Sequence, residues 1–176
     1  KIQKMNLLIG VFFSEVGTKL LVHFSDADPD LDKIKNDLVV TTNWSKNEFI
    51  KTKKKLKSYE YNIKIDKIDL EVIRNFLINK NDFLTLLLEN PSLLEHEDFT
   101  ELLRAVFHLD EELRNRKNVK SLTPADSEHI TSDIKRAYGL LVYQWLDYMQ
   151  YLKDNYPYLF SLALRLNPFD EKATPE

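Results

Sequence analysis

The longest helical pattern in the chain lies at residues 123–157, which read TPADSEHITSDIKRAYGLLVYQWLDYMQYLKDNYP. Apolar side chains recur there at three- and four-residue spacing on one face that includes Trp145, which is the period of an α-helix. Thr123 followed by Pro124 is typical of a helix start, and Pro157 breaks the pattern. The segment therefore predicts a helix from 124 to about 156, long enough to organise a bundle.

Helical patterns also precede and follow this segment. Asp69 can cap a helix, and the apolar spacing continues until Asn90-Pro91 stops it. Asp98 with Glu101 forms a capping box, which predicts a further helix at about 98–115. We therefore predict a helical bundle over residues 69–170, with a tail at 171–176.

The pattern changes between residues 26 and 68, where we expect a small α/β element. Residues 38–42 are rich in β-branched side chains, and residues 59–66 alternate between apolar and polar side chains, as half-buried strands do. Ser45 with Glu48 is a capping box, which predicts a helix from 46 to about 57. The predicted fold is mostly α, formally α+β, in which a two- or three-strand element near residues 38–66 packs on the bundle.

Residues 1–25 form an apolar N-terminal segment with two interpretations. Residues 5–24 carry a helical stripe, and the same letters fit a hairpin that turns at Val16-Gly17; the helix is favoured. The apolar run at 7–13 is too short to cross a bilayer, which needs about 20 residues. It fits the cytosolic end of a spanning helix, and an apolar run directly before Lys1 would establish that attachment.

Composition excludes several classes of function. The chain has three glycines, no cysteine and a net charge of −3. Phosphate-binding loops need clustered glycines, thiolate chemistry needs cysteine, and nucleic-acid binding needs a concentrated positive surface. We therefore expect no nucleic-acid partner and no cofactor, and we identify no catalytic residues.

Residues 89–112 are strongly acidic and supply the candidate metal ligands. Helical spacing places Glu97, Glu101, His108 and Glu111 along one stripe. Helix capping and the helix dipole already explain most of these carboxylates, so the favoured interpretation is a solvated helix face. On this interpretation, zinc, manganese and magnesium do not increase the stability of the protein. The alternative is a helical metal-binding protein or enzyme that uses the carboxylates and histidines of residues 95–129.

Aromatic side chains are dense towards the C-terminus and provide the interface candidates. Tyrosine and tryptophan suit surfaces that stay partly wet, and we also expect Trp145 to anchor the long helix. Residues 46–67 carry eight lysines against three carboxylates, a surface that could meet an acidic segment of another copy or a membrane. We therefore predict a homo-oligomer or another protein partner. The interface candidates are Tyr138, Trp145, Tyr148, Tyr151 and Tyr156.

Two segments carry a family resemblance: LLENPSLLEHEDFTELLRAVFHLDEEL at 87–113 and NYPYLFSLALRLNPFD at 155–170. They resemble an uncharacterised prokaryotic helical domain associated with cytoplasmic portions of membrane proteins, channel-like ones among them. The resemblance implies a cytoplasmic location, at the inner face of a membrane, with attachment through the N-terminal side. The preferred function is a non-enzymatic regulatory or assembly domain. A soluble protein-interaction adaptor is a further alternative if residues 5–24 form a hairpin.

Overall fold

The computed structural model describes residues 2–174, which fold into α-helices joined by short loops and 3-10 turns. In chain order the α-helices are α1 (Ile2–Phe12), α2 (Thr18–Asp26), α3 (Lys46–Lys57), α4 (Leu70–Asn79), α5 (Asn81–Glu89), α6 (Pro91–Leu94), α7 (Glu97–Arg114), α8 (Pro124–Asn155) and α9 (Pro157–Arg165). The mostly helical fold is therefore confirmed. One cluster of buried apolar side chains extends from Ile9 to Phe169.

The predicted strands are wrong, because residues 2–174 contain no β-strand. Residues 35–38 form a 3-10 turn, and residues 59–64 run extended without a partner strand. Ile63 is buried and Tyr59 and Tyr61 are half-buried, while the N–H of Lys64 donates to the carbonyl of Ala27 at 2.8 Å. The alternating pattern therefore reported which side of an extended segment is buried, and gave no information about backbone pairing.

The N-terminal segment is helical rather than a hairpin. Residues Phe13–Gly17 form a single π-helical stretch between α1 and α2, which we call the π-turn. A side chain at Gly17 would place its Cβ 2.6 Å from the ring of Phe13, so glycine lets the rings pack closely. The helix at Asn6–Asp26 is long and apolar enough to cross a bilayer by length and composition, but 44% of its apolar window is buried against the rest of the fold.

Helices α7 and α8 form an antiparallel hairpin at the centre of the bundle. The hydroxyl oxygen of Thr123 accepts the N–H of Asp126 at 3.1 Å, and Pro124 occupies the first turn of α8, which confirms the predicted start. Helix α8 ends at Asn155, immediately before Tyr156-Pro157. Because the connection at 115–123 is short, the C-terminal turns of α7 lie beside the N-terminal turns of α8.

A buried carboxylate joins the N-terminal region to α8. Asp28 Oδ2 accepts hydrogen bonds from the hydroxyls of Tyr59 and Tyr138, each at 2.8 Å, and its Oδ1 accepts the N–H of Asp30 at 2.9 Å. Burial, reinforced by Asp28, raises the pKa of both tyrosines. This network therefore fixes residues 28–30, the extended segment and α8 relative to one another.

Candidate metal centre

Two histidines and two carboxylates converge at the loop end of the α7–α8 hairpin. His108 and Glu112 lie one helical turn apart on α7, and His129 and Asp133 lie one turn apart on α8. Side chains four residues apart share a helix face, and the antiparallel packing brings the two pairs face to face. We call these four residues the His–carboxylate cluster.

The cluster has the dimensions of a metal coordination sphere. Asp133 Oδ2 lies 3.3 Å from His108 Nε2 and 3.4 Å from His129 Nε2. Glu112 Oε1 lies 3.7 Å from His108 Nε2 and 3.3 Å from His129 Nε2. Ligand atoms about 2.1 Å from a tetrahedral ion are about 3.4 Å from one another. The four atoms, all within 4.8 Å of one another, therefore need only small movements to surround one ion.

The electrostatics of the cluster also favour a cation. Asp133 Oδ2 is fully buried and accepts no hydrogen bond from the residues that the structure describes. Protonated imidazoles would pair with this oxygen at 3.3 and 3.4 Å. Without them, a buried carboxylate oxygen that has no partner is costly. When the imidazoles are neutral and protonated at Nδ1, their Nε2 lone pairs point towards the same space as the carboxylate oxygens. A cation at the centre would convert this mutual repulsion into coordination.

The cluster is open on its imidazole side and closed on its carboxylate side. The side chains of His108 and His129 are 45% and 51% exposed, whereas those of Glu112 and Asp133 are 23% and 14% exposed. An ion could therefore enter from solvent past the imidazoles. The carboxylates would then neutralise its charge from the protein side.

Arg116 bonds Glu112, one of the four candidate ligands, through the carboxylate oxygen that does not face the histidines. Its Nη1 donates to Glu112 Oε2 and, at 2.6 Å, to the backbone carbonyl of Glu112, while its Nη2 donates to Asp126 Oδ1 at 3.1 Å. The guanidinium beside Glu112 holds the pKa of that carboxyl below its usual value. Glu112 is therefore kept ionised, with Oε2 bonded to Arg116 and Oε1 facing the histidines.

Of the four metal candidates taken from the sequence, the structure places His108 in this cluster. Glu97 lies in the first turn of α7, Glu101 lies 3.4 Å from Arg136 Nη2, and Glu111 is exposed on α7. Glu112 and His129 lie within residues 95–129, the range of the alternative metal-binding interpretation, but were not named as candidate ligands, and Asp133 lies outside that range. The spacings His-x3-Glu at 108–112 and His-x3-Asp at 129–133, each on a predicted helix, were the signal that could have identified them.

The interface candidates divide into two groups. Tyr138 and Trp145 are buried in the core, whereas Tyr148, Tyr151 and Tyr156 are half-buried. These three tyrosines line an apolar cleft of about 320 Å³ between α1, α8 and α9. A neighbouring cleft of about 370 Å³ continues over Trp145 towards Leu162 and Leu166.

Comparison with known proteins places the chain in a family. Residues 1–165 match the family described as "Uncharacterized protein MJ1433, C-terminal helical domain". The uncharacterised protein MJ1433 of Methanocaldococcus jannaschii is 47% identical over 172 residues, which cover 98% of this chain and 69% of that protein. No solved structure matches.

These matches confirm the resemblance to an uncharacterised helical domain, while association with a membrane stays a prediction. The match to the family extends from α1 through α9 and includes the entire His–carboxylate cluster. The chain therefore belongs to the family of the C-terminal helical domain of the uncharacterised protein MJ1433.

Proposed function

We propose that this domain binds one divalent transition-metal ion, with Zn²⁺ as the best fit, between α7 and α8, and that it acts as a non-enzymatic regulatory domain whose bundle the ion stabilises. The single observation that carries the proposal is the convergence of His108, Glu112, His129 and Asp133 on one point. Imidazole nitrogen and carboxylate oxygen are both ligand types that bind zinc.

The ligand types argue for a transition metal over calcium or magnesium. Ca²⁺ takes six to eight oxygen ligands, and Mg²⁺ prefers an octahedron of oxygens, whereas imidazole suits zinc, copper, iron and nickel. Four protein ligands are typical of structural zinc sites, since catalytic zinc sites keep a position for water or substrate. The ligand count therefore favours an ion that joins two helices over an ion that performs chemistry.

Metal binding to the chelator-treated protein tests this proposal. We expect calorimetry to show one Zn²⁺ or Co²⁺ bound per chain, and no comparable binding of Mg²⁺. At a free concentration of 100 times the dissociation constant, the ion should add about 2.7 kcal/mol to the free energy of unfolding. This outcome would reverse the expectation from helix capping alone, that metals give no stabilisation.

Variants make the test specific. His129→Ala should abolish the stabilisation, because it removes a ligand that is half-exposed and does not belong to the apolar core. His23→Ala is the matched control, since His23 lies on α2 outside the cluster. Failure of the wild-type protein to bind a stoichiometric ion, or undiminished binding by His129→Ala, would refute the proposal.

We propose self-association as a second function, because α1 and α9 leave an apolar surface uncovered within each chain. We define this α1–α9 surface by six side chains that are between 41% and 92% exposed: Leu7, Val11, Tyr158, Leu159, Leu162 and Leu166. Together they expose on the order of 600 Å² of apolar area, close to the share of about 800 Å² that each partner gives to a standard interface. A second copy, which presents the same ridge of α9 beside the same clefts, fits a two-fold contact.

Sedimentation equilibrium of the protein and of Leu162→Glu tests this second function. We expect the wild type to exceed the monomer mass of 20.8 kDa at tens of micromolar, and the variant to return to it, because a buried unpaired charge opposes association. Leu86→Glu is the matched control, since Leu86 is exposed on α5, away from this surface. A wild type that sediments as a monomer without concentration dependence would contradict self-association.

A further inference from the structure

Arg116 stands out among the residues around the His–carboxylate cluster, because it bonds a cluster carboxylate while remaining outside the cluster itself. It follows Asn115, the C-cap of α7, and its side chain is 18% exposed. One arm of the guanidinium bonds Glu112 on α7, and the other bonds Asp126 in the first turn of α8. A guanidinium presents its donors in a fixed plane, so these contacts fix the rotation of the Glu112 carboxylate as well as its position.

This arrangement determines how Glu112 can bind an ion. A free carboxylate can bind a cation through one oxygen or through both, and bidentate binding raises the coordination number. Glu112 Oε2 is bonded to Arg116, so Oε1 is the oxygen left to face the ion. With Asp133 binding through Oδ2, the oxygen that lies beside both imidazoles, the cluster then offers four donor atoms instead of five, and four is the number that a tetrahedral ion takes.

We infer that Arg116 is the residue that determines ion selectivity at this site: by holding Glu112 to one-oxygen binding, it restricts the site to ions that accept four ligands, Zn²⁺ and Co²⁺, and disfavours Mn²⁺ and Ca²⁺. The inference rests on the proposed function, that the His–carboxylate cluster binds a divalent ion. It goes further in assigning to Arg116 a positioning role that the ligand set alone does not specify. Groups that orient metal ligands change metal affinity by about 10–100-fold when they are replaced.

The test uses Co²⁺ as a spectroscopic probe together with competition between Zn²⁺ and Mn²⁺. Four-coordinate Co²⁺ absorbs visible light much more strongly than five- or six-coordinate Co²⁺, so its spectrum reports the coordination number directly. In Arg116→Gln, Glu112 is free to bind through both oxygens. We expect weaker Co²⁺ absorption, a loss of Zn²⁺ affinity of about 10-fold or more, and a lower ratio of Zn²⁺ to Mn²⁺ affinity.

Two further variants separate selectivity from general stability. Arg116→Lys keeps the charge but cannot bond Glu112 and Asp126 in the same forked geometry, so we expect an intermediate spectrum. Arg136→Gln is the matched control, because Arg136 also joins α8 to α7, through Glu101, but lies outside the cluster. It should leave both the spectrum and the affinity ratio unchanged. Melting curves of the metal-free variants establish that each one is folded.

The outcomes distinguish this inference from the proposal beneath it. If the wild type binds Co²⁺ and Arg116→Gln shows the same spectrum and the same affinity ratio, the role of Arg116 is overturned while metal binding stands. The role of Arg116 is also overturned if Arg116→Gln loses affinity for all ions equally, since that result describes a loosened hairpin. If the wild type binds no ion, the proposed function fails and the role of Arg116 fails with it.

Discussion

Replacing Trp145 with alanine is expected to lower the free energy of unfolding by about 3–5 kcal/mol, the range for removing a large aromatic side chain from a packed core. Trp145 is buried on α8, and its ring lies 5.2 Å from that of Phe169 in an edge-on arrangement. Phe169 is itself held by Asn167, whose Oδ1 accepts the Phe169 N–H at 2.8 Å and whose Nδ2 donates to the carbonyl of Leu38 at 2.9 Å. The cavity left by Trp145→Ala would therefore lie beside Phe169, where the chain that follows α9 packs against the core.

Urea unfolding followed by circular dichroism measures this loss, because fluorescence would change with removal of the tryptophan itself. Leu86→Ala is the control: Leu86 is 69% exposed on α5, away from the α1–α9 surface, and we expect a change within about 0.5 kcal/mol. A loss below about 1 kcal/mol for Trp145→Ala would contradict the packing of Trp145 in the core. It would also make Trp145 a candidate for a surface contact again.

Replacing Asp28 with alanine is expected to cost about 3–5 kcal/mol, by a different mechanism. The substitution leaves the buried hydroxyl of Tyr138 and the half-buried hydroxyl of Tyr59 without their acceptor, and an unsatisfied buried group costs about 1–3 kcal/mol. Denaturant unfolding measures the loss. Tyr138→Phe and Tyr59→Phe should each cost less, because removing a donor leaves Asp28 one remaining tyrosine hydroxyl.

The free energy of unfolding measured at alkaline pH, the alkaline limb of its pH dependence, gives an independent check on the hydrogen bonds between Asp28 and the two tyrosines. The folded protein raises the pKa of Tyr59 and Tyr138 above that of an unfolded tyrosine, about 10. The stability linked to these hydroxyls is therefore fully present below about pH 10 and is lost as the pH rises above it. Tyr138→Phe should weaken that dependence, and an unchanged alkaline limb would argue against a buried, protonated hydroxyl.

The sequence predicted helices where local chemistry determines their ends. Ser45, Asp69 and Thr123 each cap a helix in the structure by accepting a backbone N–H three residues ahead. At residues 59–64 the predicted strand is wrong, because an extended segment that buries one side against helices has the same alternation as a strand. Periodicity reports burial, and pairing between backbones depends on partners that are distant in sequence.

The candidate site was predictable only within single helices. Helical spacing identifies neighbours such as His108 and Glu112, because four residues make about one turn. Helical spacing does not show that His129 and Asp133 face His108 and Glu112, because that depends on the axial register between α7 and α8. The same limit applied to the aromatic stripe of α8, where spacing could not distinguish the buried Tyr138 from the half-buried Tyr148.

The π-turn at Phe13–Gly17 has a consequence for insertions and deletions in this family. Such a turn accommodates one residue more than an α-helical turn, and each residue of an α-helix advances about 100° around the axis. A homologue that is one residue shorter here can close this stretch into an ordinary α-helical turn, which keeps the N-terminal side in the same rotational phase. Ile9 and Phe12, both buried, would then stay in the core. A single-residue gap at this place in an alignment would therefore be tolerated, whereas the same gap inside α1 or α2 would turn the residues beyond it by about 100°.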